Sequence, residues 1–96
     1  MDLKPKMKLL REICRQNGVA MLGVFGSVAR NGDTPESDID LLIKLKRPVG
    51  FIELIRLEDK FVEVLERNVD LVTEGCLHPI IKENALKDLK ILYQST

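Results

Sequence analysis

Apolar residues near the start of the chain recur at helical spacing. Between residues 3 and 17 they fall every three or four positions, with charged side chains between them, and Asn17-Gly18 supplies a stop signal. This pattern predicts an amphipathic helix whose apolar face covers a sheet. The face carries Leu3, Met7, Leu10, Ile13 and Cys14.

Three short apolar runs predict β-strands. The first is Val19 to Phe25, and Gly23 inside it indicates a bulge or a close approach of another segment. The second is Ile39 to Ile43, and the third is Val69 to Thr73, which follows Asn68, a residue suited to a left-handed helix cap. The connection between the first two strands is too short for a long parallel crossover, so a mixed sheet is expected.

Three further helices complete the predicted order, α-β-α-β-α-β-α. A short one starts at Ser27, a second amphipathic one covers residues 51 to 67, and a last one starts at His78-Pro79. The predicted fold class is α/β, a small mixed three-stranded sheet backed by helices. The apolar face of the long helix comprises Phe51, Leu54, Ile55, Leu57, Phe61, Val64 and Leu65, and that of the last comprises Ile81, Ala85, Leu89 and Leu92.

Two carboxylates interrupt the second strand, where charge is unexpected. Side chains alternate along a strand, so Asp38 and Asp40 are predicted to lie on one face with their carboxylates about 6 to 7 Å apart. No Lys or Arg stands between them, and like charges this close repel unless a cation is held beside them. Hard divalent cations, which take oxygen ligands, are the obvious candidates.

A Gly-Ser turn precedes these carboxylates. Gly26 ends the first strand and Ser27 is a good N-cap, so the turn presents backbone N–H groups and the positive end of a helix, which bind phosphate. Taken alone, Gly-Ser is typical of a capped helix start; beside a metal site it predicts a nucleotide. Asp70 interrupts the third strand, and taken alone it is typical of a turn or cap residue.

The combined motif resembles the signature of the nucleotidyltransferase superfamily that includes DNA polymerase beta and kanamycin nucleotidyltransferase. Gly26-Ser27, ten residues and then Asp38-Ile39-Asp40 carry the resemblance. Gly-Ser-Val-Ala-Arg followed by Ser-Asp-Ile-Asp-Leu-Leu-Ile is most similar to the minimal branch, the stand-alone MNT domains that are often paired with HEPN proteins. The likeness covers residues 20 to 73.

The resemblance implies a polymerase beta palm-like core that binds ATP with two Mg²⁺ ions. In that family a carboxylate from the third strand completes the site, ligates the metal nearest the nucleophile and helps to deprotonate the acceptor hydroxyl. The implied catalytic and metal-binding residues are Asp38, Asp40 and Asp70, and the implied nucleotide-binding residues are Gly26, Ser27 and Arg30.

The implied reaction is a Mg²⁺-dependent transfer of AMP from ATP to a hydroxyl of a protein partner, with a tyrosine of a HEPN toxin as the expected acceptor. Such an enzyme would act as an antitoxin. The alternative is a non-catalytic antitoxin or binding module that neutralises a HEPN ribonuclease by complex formation. All three carboxylates are intact, which favours the enzyme.

Composition and charge narrow the function classes further. The 96 residues, 45% of them hydrophobic, predict a single domain over 1–96. Lys plus Arg equals Asp plus Glu at 15 each, so no strong nucleic-acid binding is expected. Cys14 and Cys76 lack paired spacing and suggest neither a zinc site nor a disulfide framework. With no signal peptide and no membrane-spanning run, we expect a cytoplasmic protein without a membrane partner.

Overall fold

The computed structural model of the protein describes residues 3–29, 32, 34, 36–73, 83 and 86–95. After a 3-10 turn at Lys4–Lys6, helices and strands alternate from Met7 to Thr73, and one more strand follows in this part of the chain. Their bounds are α1 Met7–Gln16, β1 Val19–Phe25, α2 Gly26–Ala29, β2 Ile39–Leu45, α3 Phe51–Leu65, β3 Val69–Thr73 and β4 Lys90–Gln94.

The first helix is confirmed, with its opening turn wound as a 3-10 helix. Leu10 and Cys14, which are one helical turn apart, are buried, as an apolar face at this spacing requires. The helix ends at Asn17, whose backbone N–H and side-chain amide both donate to the Ile13 carbonyl, at 3.1 and 2.7 Å. Gly18 then adopts a φ of +67° and turns the chain into β1.

The strands form one mixed sheet in the order β3-β2-β1-β4. β1 and β2 are antiparallel, whereas β2 and β3 are parallel and are joined through α3. The predicted bounds of β1 and β3 are confirmed, and β2 runs two residues past Ile43 to Leu45. The mixed α/β fold class is therefore confirmed.

The predicted number of strands was wrong by one. Leu92 was assigned to the last helix, but it lies in β4, which pairs antiparallel with β1. A short apolar run such as Ile91-Leu92-Tyr93 is ambiguous between helix and strand by periodicity alone. Pairing with β1 satisfies backbone groups that would otherwise lie unpaired at a sheet edge, and it packs Leu92 and Tyr93 against the core.

Part of the predicted last helix is present before β4. Glu83, Leu86 and Lys87 are helical, and the Leu89 N–H donates to the Leu86 carbonyl at 3.4 Å. The remaining positions predicted for this helix, His78-Pro79, Ile81 and Ala85, lie outside the described residues, as does Cys76.

The long helix α3 ends two residues earlier than predicted. Its C-cap is Glu66, whose φ of 57° is left-handed and whose N–H donates to the Val62 carbonyl at 2.8 Å. Asn68 was expected to be the cap, but its carbonyl accepts the Ile39 N–H at 2.9 Å, so Asn68 already belongs to the extended chain beside β2.

The buried face of α3 is narrower than the predicted one. Leu57, Phe61 and Leu65, at intervals of four residues, are buried, whereas Phe51 is 76% exposed and Ile55 is 44% exposed. Each residue advances a helix by about 100°, so Ile55 lies roughly opposite Leu57. Phe51 and Ile55, which were predicted to belong to the apolar face of α3, therefore lie in solvent.

The main core lies on one face of the sheet, where side chains of α1 and α3 meet those of the strands. The close approach predicted at Gly23 is confirmed on the opposite face. A Cβ on Gly23 would lie 2.5 Å from Leu89 Cδ1, and the pairing of β1 with β4 shifts register between Leu22 and Gly23. The core comprises Leu10, Cys14, Val19, Leu22, Val24, Val28, Ala29, Ile39, Leu41, Ile43, Leu57, Phe61, Leu65, Val69 and Leu71.

Two further features belong to the described residues. Cys14 is a free thiol, and burial raises its pKa to about 12, so it stays protonated at neutral pH. In this part of the chain, the helices are too short or too polar for any of them to cross a membrane.

Candidate active site

The sheet places two of the predicted site carboxylates side by side. β2 and β3 are parallel, and Asp40 is the direct partner of Asp70 in their register. Partner residues on neighbouring strands point to the same face, with backbones about 4.8 Å apart. The next pair, Leu41 and Leu71, is buried in the main core. The acidic pair therefore lies on the face opposite the main core.

Asp38 lies at the same end of the sheet, one residue before β2 begins. Its side chain is exposed, as is that of Asp70, while Asp40 is half-buried. The next residue is already held in the ladder, because the Ile39 N–H donates to the Asn68 carbonyl. The three predicted carboxylates thus occupy the starts of two adjacent parallel strands.

Gly26 brings the Gly-Ser turn against this acidic group. Its φ is +72°, a left-handed conformation that favours glycine, and a Cβ at this position would meet the carboxylate of Asp40. The residue before it, Phe25, is the partner of Asp40 in the antiparallel ladder of β1 and β2. The absence of a side chain at Gly26 therefore makes room for the carboxylate of Asp40 directly against the turn.

Two of the predicted nucleotide-binding groups follow Gly26 in the chain. Arg30 and the side chain of Ser27 lie outside the described residues. The backbone of Ser27 is part of α2, whose residues Val28 and Ala29 are buried in the core. The turn that begins at Gly26 is therefore anchored by apolar packing immediately after it.

The structure adds an acidic group that the sequence pattern did not mark. Burial raises the pKa of Glu58, and the nearby charges of Asp70 and Asp59 raise it further. Glu58 lies on α3, where a charged residue between apolar positions is an ordinary feature of an amphipathic helix. Its electrostatic link to Asp70 follows only from the way α3 packs beside β3.

The donor set fits Mg²⁺ by its chemistry. All three predicted ligands are carboxylates, and Mg²⁺ is usually bound by one or two carboxylates together with water and substrate phosphates. Among the residues that the structure describes, no three His, Cys, Asp or Glu side chains converge into a ready-made ion site. The in-register pair of Asp40 and Asp70 supplies two carboxylates, which leaves room for phosphate oxygens.

The mixed sheet, with paired carboxylates beside a glycine turn, agrees with the architecture of a nucleotidyl-transferring enzyme that the resemblance of the motif implies. The chain belongs to the nucleotidyltransferase domain family, whose pattern matches residues 6–92. A Methanocaldococcus jannaschii protein named as a candidate protein adenylyltransferase is 39% identical over 80 residues, or 82% of each chain. The protein adenylyltransferase MntA of Thermococcus cleftensis is 30% identical over 79 residues, or 82% of this chain and 80% of that one.

Solved structures share the fold. One described as a candidate minimal nucleotidyltransferase is 30% identical, with a TM-score of 0.81 over 94% of this chain and 95% of that one. A toxin–antitoxin structure with AMP-PNP has a TM-score of 0.79 at 21% identity, over 93% and 73%. A tri-AMPylated Shewanella oneidensis HEPN toxin in complex with an MNT antitoxin gives 0.74 at 19% identity, over 98% and 74%. These last two likenesses concern the fold.

Proposed function

We propose that the protein is a Mg²⁺-dependent nucleotidyltransferase that transfers AMP from ATP to a hydroxyl of a protein partner. The observation that carries the proposal is the in-register pair of Asp40 and Asp70 beside Gly26. Transfer from a nucleoside triphosphate depends mostly on positioning and on offsetting charge, which carboxylate-bound metal ions and phosphate-binding turns supply. Relatives named protein adenylyltransferases support AMP as the transferred group and a protein as the acceptor.

The three carboxylates would have different roles in the reaction. Asp38 and Asp40 would hold the metal, with two ions expected, and Asp70 would be a further ligand on the side of the acceptor. Bound Mg²⁺ would offset the negative charge that develops as the hydroxyl attacks the α-phosphorus in line, the bond to the β-phosphate breaks and pyrophosphate leaves. Asp70, exposed at the edge strand, would accept the proton of the attacking hydroxyl.

The glycine turn would hold the triphosphate. With no Cβ on Gly26, the carboxylate of Asp40 lies directly against the turn, so a metal ion held by Asp40 and a phosphate held by the backbone N–H groups of the turn would be neighbours. Ser27 and Arg30 are proposed phosphate partners from the motif, because a hydroxyl and a guanidinium both donate to phosphate oxygens.

The proposed partner is a HEPN toxin, with a tyrosine hydroxyl as acceptor, and the protein would act as its antitoxin. Support comes from the likeness in fold to an MNT antitoxin that is bound to a tri-AMPylated HEPN toxin. A cytoplasmic location and the lack of strong nucleic-acid binding stay predictions. The alternative function is an antitoxin that neutralises the toxin by complex formation without transfer.

A substitution of Asp40 tests the metal and nucleotide site directly. Asp40→Asn should abolish Mg²⁺-dependent ATP binding, measured by calorimetry, because it removes a proposed ligand. The melting temperature should stay the same or rise slightly, since one of several repelling charges is lost. Asp59→Asn, at an exposed position of α3, is the matched control. Unchanged Mg·ATP affinity in Asp40→Asn would refute the site.

Asp70→Asn tests whether Asp70 acts on the acceptor hydroxyl or only helps to bind the triphosphate. Turnover should fall far more than ATP affinity, because the proposed work of Asp70 is on the nucleophile. Equal losses of turnover and affinity would make Asp70 one more nucleotide ligand. Normal turnover would leave it with no role in the reaction.

A further inference from the structure

The segment before Asp38 is a compact turn closed by its own hydrogen bonds. The Ser37 N–H donates to the Thr34 carbonyl at 3.0 Å, and the Thr34 N–H donates to Ser37 Oγ at 3.0 Å. The two hydroxyls are 3.1 Å apart and also hydrogen-bond. These contacts hold the shape of the turn, but they do not attach it to the rest of the protein.

Arg67 attaches this turn to the sheet. It lies between the end of α3 and the start of β3, and its Nη2 donates to the carbonyls of Thr34 at 2.7 Å and Ser37 at 2.6 Å. Its Nε donates to the same Ser37 carbonyl at 3.2 Å. A planar guanidinium presents several donors in a fixed fork, so one side chain can hold two carbonyls in a defined orientation.

Two consecutive residues therefore hold both peptide groups that flank Asp38. The carbonyl of the Ser37–Asp38 peptide accepts from Arg67, and the N–H of the Asp38–Ile39 peptide donates to the Asn68 carbonyl. The same short segment leads directly into β3, which carries Asp70. The backbone at Asp38 is thereby fixed relative to the strand that bears Asp70.

We propose that Arg67 is a positioning residue, which holds the backbone of Asp38 in place for metal and nucleotide binding through its bonds to the Thr34 and Ser37 carbonyls. The proposal rests on the function proposed above. Arg67 need not touch the nucleotide. Removal of groups that hydrogen-bond to metal-binding side chains and orient them typically changes metal affinity or activity by about 10–100-fold, and we expect a change in this range for a group that orients the backbone of a ligand.

Hydrogen exchange tests the clamp without any ligand. In Arg67→Gln the Ser37 amide should exchange faster than in the wild-type chain, because the turn is no longer tied to the sheet. The Ile39 amide should keep its protection, since the Asn68 carbonyl that accepts from it belongs to the backbone. Arg56→Gln, an equal loss of charge at an exposed position of α3, should leave both amides unchanged.

Calorimetry of ATP binding over a range of Mg²⁺ concentrations tests the consequence. Arg67→Gln should raise the Mg²⁺ concentration for half-saturation about 10–100-fold, and excess Mg²⁺ should restore ATP binding. Arg67→Lys keeps the charge but loses the planar group that can donate to two carbonyls, so it should give a smaller rise in the Mg²⁺ requirement. It also serves as the test variant if Arg67→Gln does not fold. Arg56→Gln should match the wild-type chain, and excess Mg²⁺ should not rescue Asp40→Asn.

The outcomes separate the two proposals. If the wild-type chain binds no Mg·ATP, the proposed function falls, whatever the amides show. If the wild-type chain binds Mg·ATP and both Arg67 variants require no more Mg²⁺ than it does, the positioning role is overturned. It is equally overturned if the Ser37 amide of Arg67→Gln exchanges at the wild-type rate.

Discussion

At the scale of single residues, the candidate site depends on the close contact between Gly26 and the carboxylate of Asp40. Gly26 has no Cβ at the point where the carboxylate of Asp40 lies, and its backbone is left-handed. The end of the apolar run at Gly26-Ser27 predicted a turn, but the contact of Gly26 with Asp40 depends on the pairing of β1 with β2. The requirement for glycine is therefore both conformational and steric.

Gly26→Ala should consequently lose both stability and ligand affinity. A left-handed backbone costs a residue with a Cβ about 1–2 kcal/mol, and the new Cβ would displace the carboxylate of Asp40. Gly18→Ala is the control, because Gly18 has a similar φ of +67° but nothing within 4 Å of its Cβ position. Urea unfolding should show a loss of folding stability in both variants. Only Gly26→Ala should weaken Mg·ATP binding, and equal affinities in the two variants would contradict the steric role.

Glu58 predicts a specific pH dependence of stability. Its pKa is raised above the ordinary 4.5, so the folded protein binds the proton more tightly than the unfolded chain does. Stability should fall as the pH rises from 4.5 through the raised value. Glu58→Gln should therefore stabilise the protein at neutral pH, by less than about 1 kcal/mol because the group is partly exposed, and should give no gain well below pH 4.5.

Urea unfolding across this pH range measures the effect of Glu58→Gln. Glu63→Gln, an exposed position on the same helix, makes the same change of charge and serves as the control. A gain in stability that is equal at acidic and neutral pH would contradict the assignment of the effect to the ionised carboxylate.

At the scale of elements, strands β1, β2 and β3 could be predicted from the sequence, and β4 could not. The runs Val19–Phe25 and Val69–Thr73 each form a strand with the predicted bounds, because each is an apolar run with a turn signal beside it. In Lys90–Gln94 the apolar residues also continue a helical spacing, and only the open edge of β1 decides between helix and strand. The contacts of Arg67 could not be predicted for a related reason, since its partners are backbone carbonyls 33 and 30 residues earlier in the sequence.

β4 should depend on the absence of a side chain at Gly23. A Cβ there would lie 2.5 Å from Leu89 Cδ1 and 3.3 Å from the Lys90 carbonyl, so Gly23→Ala should destabilise the protein by about 1–3 kcal/mol through overpacking. Leu89→Ala removes the nearest of these atoms. The double variant should therefore be less destabilised than the sum of the two single variants, measured by urea unfolding. If the losses of stability in the two single variants simply add in the double variant, Leu89 does not pack over Gly23.

At the scale of the whole molecule, the two faces of the sheet serve different purposes. Side chains of α1 and α3 cover one face and build the main core, while the acidic pair lies on the other face. Asp38 and Asp70 are both exposed, so the acceptor side of the candidate site is open in the described part of the chain. In the described part of the chain, a nucleotide and metal ions have candidate ligands here, and Asp70 is the one residue proposed to act on an acceptor hydroxyl.

The protein should accordingly transfer almost no AMP to small hydroxyl compounds and should need a protein partner that supplies the acceptor. Correct positioning of two reactants contributes about 7–11 kcal/mol to such reactions, and an acceptor that diffuses freely past Asp70 lacks that contribution. Mass spectrometry of the protein with ATP and Mg²⁺ should show no gain of mass on aminoglycosides or short RNAs. A HEPN toxin supplied as the partner should gain one or more AMP units, and Asp38→Asn should abolish that gain. Efficient modification of a small molecule by this chain alone would contradict the prediction, whereas a stable complex with the HEPN protein and no gain of mass would favour neutralisation by binding alone.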